Sequence, residues 1–251
     1  MRVRFRFSKQ GKVRFTSHRD VARMWERALR RAELPVALTE GFSPRPKVHF
    51  GLALSTAHES RGEYIDVDFR EPEAESLDMA ALPALLSPLL PAGVAVEAAA
   101  VITTSDTSLQ EAVTSCSWTI EAVGLELPEA TAAVERLLAA PDAVITRQRK
   151  GKDVTDDIRP YVLHLAVLGP VPAVLMPSGD SIITPAGAVL EAELATKPRG
   201  VRPSELLAAL DPSADEGLVC RTHQWITLDG ARHEVLPAGA TSTTHAEARA
   251  S

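Results

Sequence analysis

An α+β fold with antiparallel sheets is what this chain predicts, on three observations. Two segments in its first seventy residues alternate apolar and charged side chains with a period of two. One strongly amphipathic helix lies between them, and the second half follows a similar order of elements. The first segment sets Val3, Phe5 and Phe7 against Arg2, Arg4 and Arg6, which buries one strand face and charges the other. After a turn at Lys9, Gln10 and Gly11, Val13 and Phe15 continue the apolar face, with Lys12 and Arg14 opposite, so a hairpin or one long bent strand both fit.

Ser17 followed by Asp20 has the form of a capping box and predicts a helix over residues 18–33. At about 100° per residue, Val21, Met24, Trp25, Ala28, Leu29 and Ala32 share one face, while Arg19, Arg23, Arg27 and Arg30 gather on the opposite one. Glu26 and Glu33 lie beside the arginine stripe rather than within it, so pairing along the helix neutralises little of its charge.

Leu34 and Pro35 end the helix, and a short strand at Val36, Ala37 and Leu38 leads into Thr39-Glu40-Gly41-Phe42-Ser43-Pro44-Arg45-Pro46-Lys47. Gly41 supplies backbone freedom and the two prolines fix φ, which predicts an ordered loop presenting Arg45 and Lys47. Two strands follow. One alternates Val48, Phe50, Leu52 and Leu54 with Lys47, His49, Gly51 and Ala53, and the other turns Ile65, Val67 and Phe69 inward and Asp66 and Asp68 to the other side. A helix over 77–90 and a strand over 94–102 complete a β-α-β-β-α-β order, the pattern of a ferredoxin-like sheet.

The second half gives a similar order, with one more strand between its helices. Cys116, Trp118 and Ile120 alternate in a strand, 128–140 is an amphipathic helix with proline at its start, and 143–146 resumes strand. Strands at 161–167 and 174–176, a helix at 203–210 and a closing strand at 219–226 follow. The expected architecture is two tandem ferredoxin-like units: residues 1–103, residues 112–233, and a disordered tail over 234–251. The Ser/Thr-rich stretch 101–110 reads as the linker.

Charge is the strongest functional signal. The first 52 residues hold 13 of the 27 Lys and Arg but only 4 of the 33 Asp and Glu, a segment at +9 in a chain at −6. Such a block points to a polyanionic partner. Arg4, Arg6, Arg19, Arg23, Arg27, Arg30, Arg45 and Lys47 are the candidate contacts, with His49 beside Lys47 on a strand's polar face. A second basic cluster, with Arg149 and Lys150 at its centre, marks a hairpin tip, although Asp153, Asp156 and Asp157 follow at once.

Four runs together resemble one family: Phe15-Thr16-Ser17-His18-Arg19-Asp20, Arg27-Ala28-Leu29-Arg30-Arg31-Ala32, Gly41-Phe42-Ser43-Pro44-Arg45-Pro46 and Gly62-Glu63-Tyr64-Ile65-Asp66-Val67. It is the uncharacterised bacterial radical-SAM-linked family, a domain encoded beside, or fused to the C-terminus of, cobalamin-binding-type radical SAM proteins. The motifs span residues 2–70. This chain departs from the pattern at Arg19, which stands where an apolar residue follows the histidine, and at Ala53-Leu54-Ser55-Thr56, which replaces a Pro-Leu segment.

The resemblance implies a bacterial, cytoplasmic protein acting with a radical SAM partner, often encoded near a ribonuclease and ribosomal proteins. On it the iron–sulfur cluster, SAM and any cobalamin belong to the partner. This chain itself has only Cys116 and Cys220, whereas a SAM-binding cluster needs three closely spaced thiolates. Two isolated cysteines without a signal peptide also fit a reducing cytosol, and no apolar run is long enough to span a bilayer.

Catalytic patterns are sparse. His18 near Asp20 has the residue types of a general base with an orienting carboxylate, although side chains two apart on a helix diverge. Glu63, Asp66 and Asp68 lack a nearby His or Cys and read as ion-pair partners of arginine rather than metal ligands. The expected function is an RNA-binding accessory protein that presents a structured RNA, tRNA or rRNA, to a separate radical SAM enzyme for modification. The alternatives are a protein-interaction subunit of that enzyme without RNA binding, and a Cas6-like metal-independent endoribonuclease using His18.

Overall fold

A computed structural model describes residues 1–102, 108–149, 151–175, 182–183 and 186–236. In chain order its elements are β1 (Arg2–Lys9), α1 (His18–Arg31), β2 (Val48–Phe50), β3 (Glu59–Asp68), α2 (Leu82–Leu86), β4 (Val94–Ile102), α3 (Leu109–Ala112), β5 (Val113–Val123), α4 (Leu127–Ala139), β6 (Val144–Arg149), β7 (Lys152–Asp157), β8 (Val162–Pro170), β9 (Val174–Leu175), β10 (Ile182–Ile183), β11 (Gly187–Ala195), α5 (Pro203–Leu210), β12 (Asp215–Leu228) and β13 (Ala231–Glu234). The chain is α+β, with antiparallel pairing and few helices. It divides into two compact units, Met1–Val113 with the segment from Gln224 onward, and Thr114–His223.

In the first unit β1 lies between β4 and β3, antiparallel to both, and β2 pairs with the far edge of β3. Val3, Phe5 and Phe7 turn to the face covered by α1, as the alternation predicts. There Trp25 is fully buried with its ring 5.7 Å from that of Phe5 and 5.1 Å from that of Phe7. The core holds Val21, Ala28, Leu29, Ile65, Val67, Phe69, Leu82 and Leu86 as well. Apolar burial of these side chains is what docks α1 on the sheet.

Three local readings need correction. Residues Gly11–Phe15 form a 3-10 turn instead of a strand, held by the Thr16 N–H donating to Val13 O at 3.0 Å, and Phe15 is left exposed. The helix expected over 77–90 shrinks to α2 and a following 3-10 turn, because Pro83 and Pro88 interrupt the backbone ladder. The segment at 36–38 makes isolated bridges, Val36 to Phe69 and Leu38 to Pro46, rather than a strand.

The C-terminal segment also differs from expectation. Asp229 and Gly230 have φ of 50° and 78°, the positive values of a two-residue hairpin turn, and they fold β13 back on β12. Val235 and Leu236 are buried, and Glu234 is ion-paired with Arg6. Residues 224–236 therefore belong with the first unit, not with an unstructured tail beginning at 234. Residues 237–251 and half of the expected linker, 103–107, lie outside the described residues.

In the second unit the sheet runs β12, β5, β11, β8. Ser115 to Val123 pair with Ala195 to Gly187 without a break in register. Buried Ala130, Ala133, Val134 and Leu137 of α4 and Leu206, Leu207 and Leu210 of α5 complete its core. The strand expected at 143–146 does not join this sheet: β6 pairs with β7 in a separate hairpin. Cys116 and Cys220 are buried thiols.

Candidate nucleic-acid interface

The arginines of β1 do not face solvent as free cations. Arg2 donates from Nε to Asp68 Oδ1 at 2.5 Å and from Nη2 to Oδ2 at 3.0 Å, and Arg4 donates to Asp66 at 2.7 and 2.9 Å. Register causes this, because Arg2 lies opposite Asp68 and Arg4 opposite Asp66 across β1 and β3. Arg6 is buried, ion-paired with Glu97 at 3.0 Å and with Glu234, and it also donates to the carbonyls of Arg61 and Leu236. Arg4 and Arg6, expected as open phosphate contacts, are thus internal ion pairs. Charge-assisted bonds of this kind hold strands and termini together.

The acidic partners respond accordingly. The Asp68 carboxyl is held below its ordinary value, first by the Arg2 hydrogen bond and also by that of His49. His49 is exposed but not alone, with Nε2 3.4 Å from Asp68 Oδ2 and 3.2 Å from Arg2 Nη2. Burial raises the Tyr64 hydroxyl far above its ordinary value, and it donates to Leu236 O at 3.4 Å.

Helix α1 presents a different surface. Its capping box forms as expected: Asp20 N–H donates to Ser17 Oγ at 3.2 Å and Ser17 N–H returns to Asp20 Oδ2 at 3.4 Å. Arg19, Arg23, Arg27 and Arg30 are all exposed. Arg23 reaches Asp20 at 3.5 Å, with both side chains about half exposed, whereas no ion pair holds Arg19, Arg27 or Arg30 among the described residues. Four guanidinium groups within about 80° of one helix face span ~16 Å along its axis. Their field is weakly neutralised, the condition for attracting phosphates.

The loop before β2 adds to this. Its ends are closed by Thr39 N–H donating to Arg45 O at 2.8 Å and Arg45 N–H donating to Thr39 Oγ1 at 3.1 Å. The ordered loop expected from its prolines is present, with the Arg45 side chain exposed and Lys47 half-buried. Phe42 at its tip is completely exposed, a feature the charge count did not single out. Its signal in the sequence is an aromatic residue outside any period, set between Gly41 and Ser43-Pro44.

Among the described residues no carboxylate is hydrogen-bonded to His18. Asp20 is committed to Ser17 and Arg23, and the His18 ring instead packs edge-on against Phe50 at 4.9 Å. Lys9 and Glu63 line the small pocket beside it, about 20 Å³, with Phe7, Val21 and Tyr64. That volume suits roughly one water molecule. Among the described residues no group of three His, Cys, Asp or Glu side chains is placed to hold a metal ion.

In the β6–β7 hairpin, Arg147 pairs with Asp156 at 3.0 Å and Glu205 at 3.4 Å, and Arg199 joins the same two carboxylates. The backbone of Arg149 pairs with Lys152, and Lys150 lies outside the described residues. No described helix is long and apolar enough to cross a membrane.

None of the curated proteins compared with the chain matches it. Among solved structures it is similar to one titled as the crystal structure of a Cbf5-Nop10-Gar1 complex, at 9% identity and a TM-score of 0.47, covering 88% of this chain. The match takes in 48% of the other chain, so this chain spans about half the length of the one it matches. The model of a family of uncharacterised proteins conserved in bacteria, DUF2344, matches residues 2–220, and the chain belongs to that family.

Proposed function

We propose that this chain is an RNA-binding accessory protein that holds a structured RNA for a separate radical SAM enzyme. The phosphate contacts are Arg19, Arg23, Arg27 and Arg30 of α1, with Arg45 and Lys47 of the loop before β2. The observation that carries the reading is the contrast within one basic segment. The arginines of β1 are satisfied by carboxylates, while Arg19, Arg27 and Arg30 stand in solvent with no ion pair among the described residues. Unpaired guanidinium groups in a row gain most by releasing counterions from a polyphosphate. The strand orders β4-β1-β3-β2 and β12-β5-β11-β8 support a tandem ferredoxin-like reading of the two units.

Iron–sulfur and SAM chemistry stay with the partner in this proposal. The nuclease alternative is weakened because Asp20 orients no imidazole. The test is RNA binding across a salt series, with wild type against an Arg19→Gln, Arg27→Gln, Arg30→Gln triple variant. The expected result is tight binding at low salt whose log–log slope shrinks by roughly two to three units in the variant. A wild-type protein that captures no RNA at low salt, yet keeps a stoichiometric nuclease-resistant complex with a radical SAM protein, overturns RNA binding in favour of protein docking.

A further inference from the structure

We infer that Phe42 is a stacking platform for an unpaired nucleobase, a role that rests on the RNA-binding reading and extends it from phosphate contact to recognition of single-stranded character. Phe42 is the most exposed large apolar side chain among the described residues, at 110% relative exposure. A bare phenyl ring in water forgoes the burial that usually places it inside a protein. Its backbone is nonetheless well held. The Leu38–Pro46 bridge, the two Thr39–Arg45 hydrogen bonds and Lys47 N–H donating to Ala37 O at 2.8 Å pin the base of the loop. Gly41, with φ of 122°, turns the tip, and Pro44 and Pro46 stiffen the return. The ring is presented on a loop with closed ends, so little ordering entropy is lost when a ligand meets it.

What meets it follows from its neighbours. Arg45 is exposed three residues on and Lys47 is half-buried, while the loop's one acid is Glu40. The only other large apolar side chain exposed in this stretch is Leu38, at 52%. One phenyl ring and part of a leucine fall far short of the ~800 Å² per partner that a standard protein interface buries. A nucleobase needs only a single aromatic face, and its phosphate supplies the anion for the adjacent guanidinium. Stacking does not discriminate strongly among bases, so the site selects for unpaired bases rather than for a sequence.

The test uses the full chain and fluorescently labelled RNA in two forms, a single strand of about ten nucleotides and a blunt duplex containing it. Phe42→Ala should weaken single-strand binding about tenfold, leave duplex binding within about twofold, and leave the salt slope unchanged, since stacking releases no counterions. Phe42→Trp should restore single-strand affinity, because a larger ring stacks at least as well. If wild type binds RNA and Phe42→Ala binds the single strand equally well, the platform assignment falls while the phosphate-binding reading stands. If wild type binds neither RNA, both fall together. If Phe42→Ala instead releases a protein partner from a nuclease-treated complex, the loop is a protein anchor and the assignment is overturned.

Discussion

Arg4 and Asp66 face each other across β1 and β3 and are joined twice, Nε to Oδ1 at 2.7 Å and Nη2 to Oδ2 at 2.9 Å, with only 16% and 6% of their side chains exposed. A pair this enclosed costs little while intact and much when halved, because the survivor is a charge without water. Arg4→Met should therefore destabilise the protein by about 3 kcal/mol, and the double variant Arg4→Met, Asp66→Leu by clearly less. Urea unfolding of the two singles and the double checks this. Equal losses in Arg4→Met and the double variant would refute it.

Arg6 and Glu234 tie the last described strand to the first. Glu234→Ala leaves the buried guanidinium with Glu97 and two backbone carbonyls. The loss should be about 2 kcal/mol, the scale of a hydrogen bond to a charged group. Truncation after residue 233 should cost more, since it also removes buried Val235 and Leu236. Thermal unfolding of both variants ranks them, and a truncation no worse than Glu234→Ala would contradict the packing role of the terminus.

These two pairs show where sequence reading stops. Helix α1 was legible in its start and its faces, since Ser17 and Asp20 mark the first and a single turn-to-turn period sorts Trp25 from Arg27, while its end falls at Arg31, short of the expected 33. The alternation of β1 was legible for Val3, Phe5 and Phe7. The fate of Arg2, Arg4 and Arg6 was not, because their partners lie 62 to 228 residues away and strand register alone decides the pairing. Asp66 and Asp68 were legible as arginine partners, and the structure pairs them so; which arginines they hold was not legible, because it depends on the register of β1 against β3. The β12–β13 hairpin carried an Asp229-Gly230 signal that the polar composition around it obscured. The β6–β7 hairpin was legible at its basic tip around Gly151, but its separation from the larger sheet was not, since its residues alternate as any edge strand does.

Acid sensitivity should follow Asp68. Its folded-state value is lowered, chiefly by the Arg2 hydrogen bond, so the native state holds fewer protons than the unfolded chain near that range. The contribution is fully present above the ordinary aspartate value of about 4 and is lost as pH falls through the lowered one. Asp68→Asn should flatten the fall of the urea midpoint below pH ~4 and change its pH dependence little between 6 and 8. An unchanged acid limb would mean that Arg2 and Asp68 contribute nothing to folding.

The arginine row of α1 should show stability and binding moving in opposite directions. Arg27 has Arg23 four residues before it, and Arg30 and Arg31 three and four after, so it meets like charge on both sides along one face. Such pairs are destabilising by ~0.2–0.5 kcal/mol each, and glutamine keeps the helix propensity of the position. Arg27→Gln should therefore raise stability slightly, by about 0.5 kcal/mol at low salt. The same change should weaken RNA binding severalfold at low salt, through the loss of one phosphate contact. Urea unfolding and RNA titration at two salt concentrations read both effects on one preparation. A variant less stable than wild type would mean that Arg27 has a structural partner in solution, and unchanged affinity would remove it from the interface.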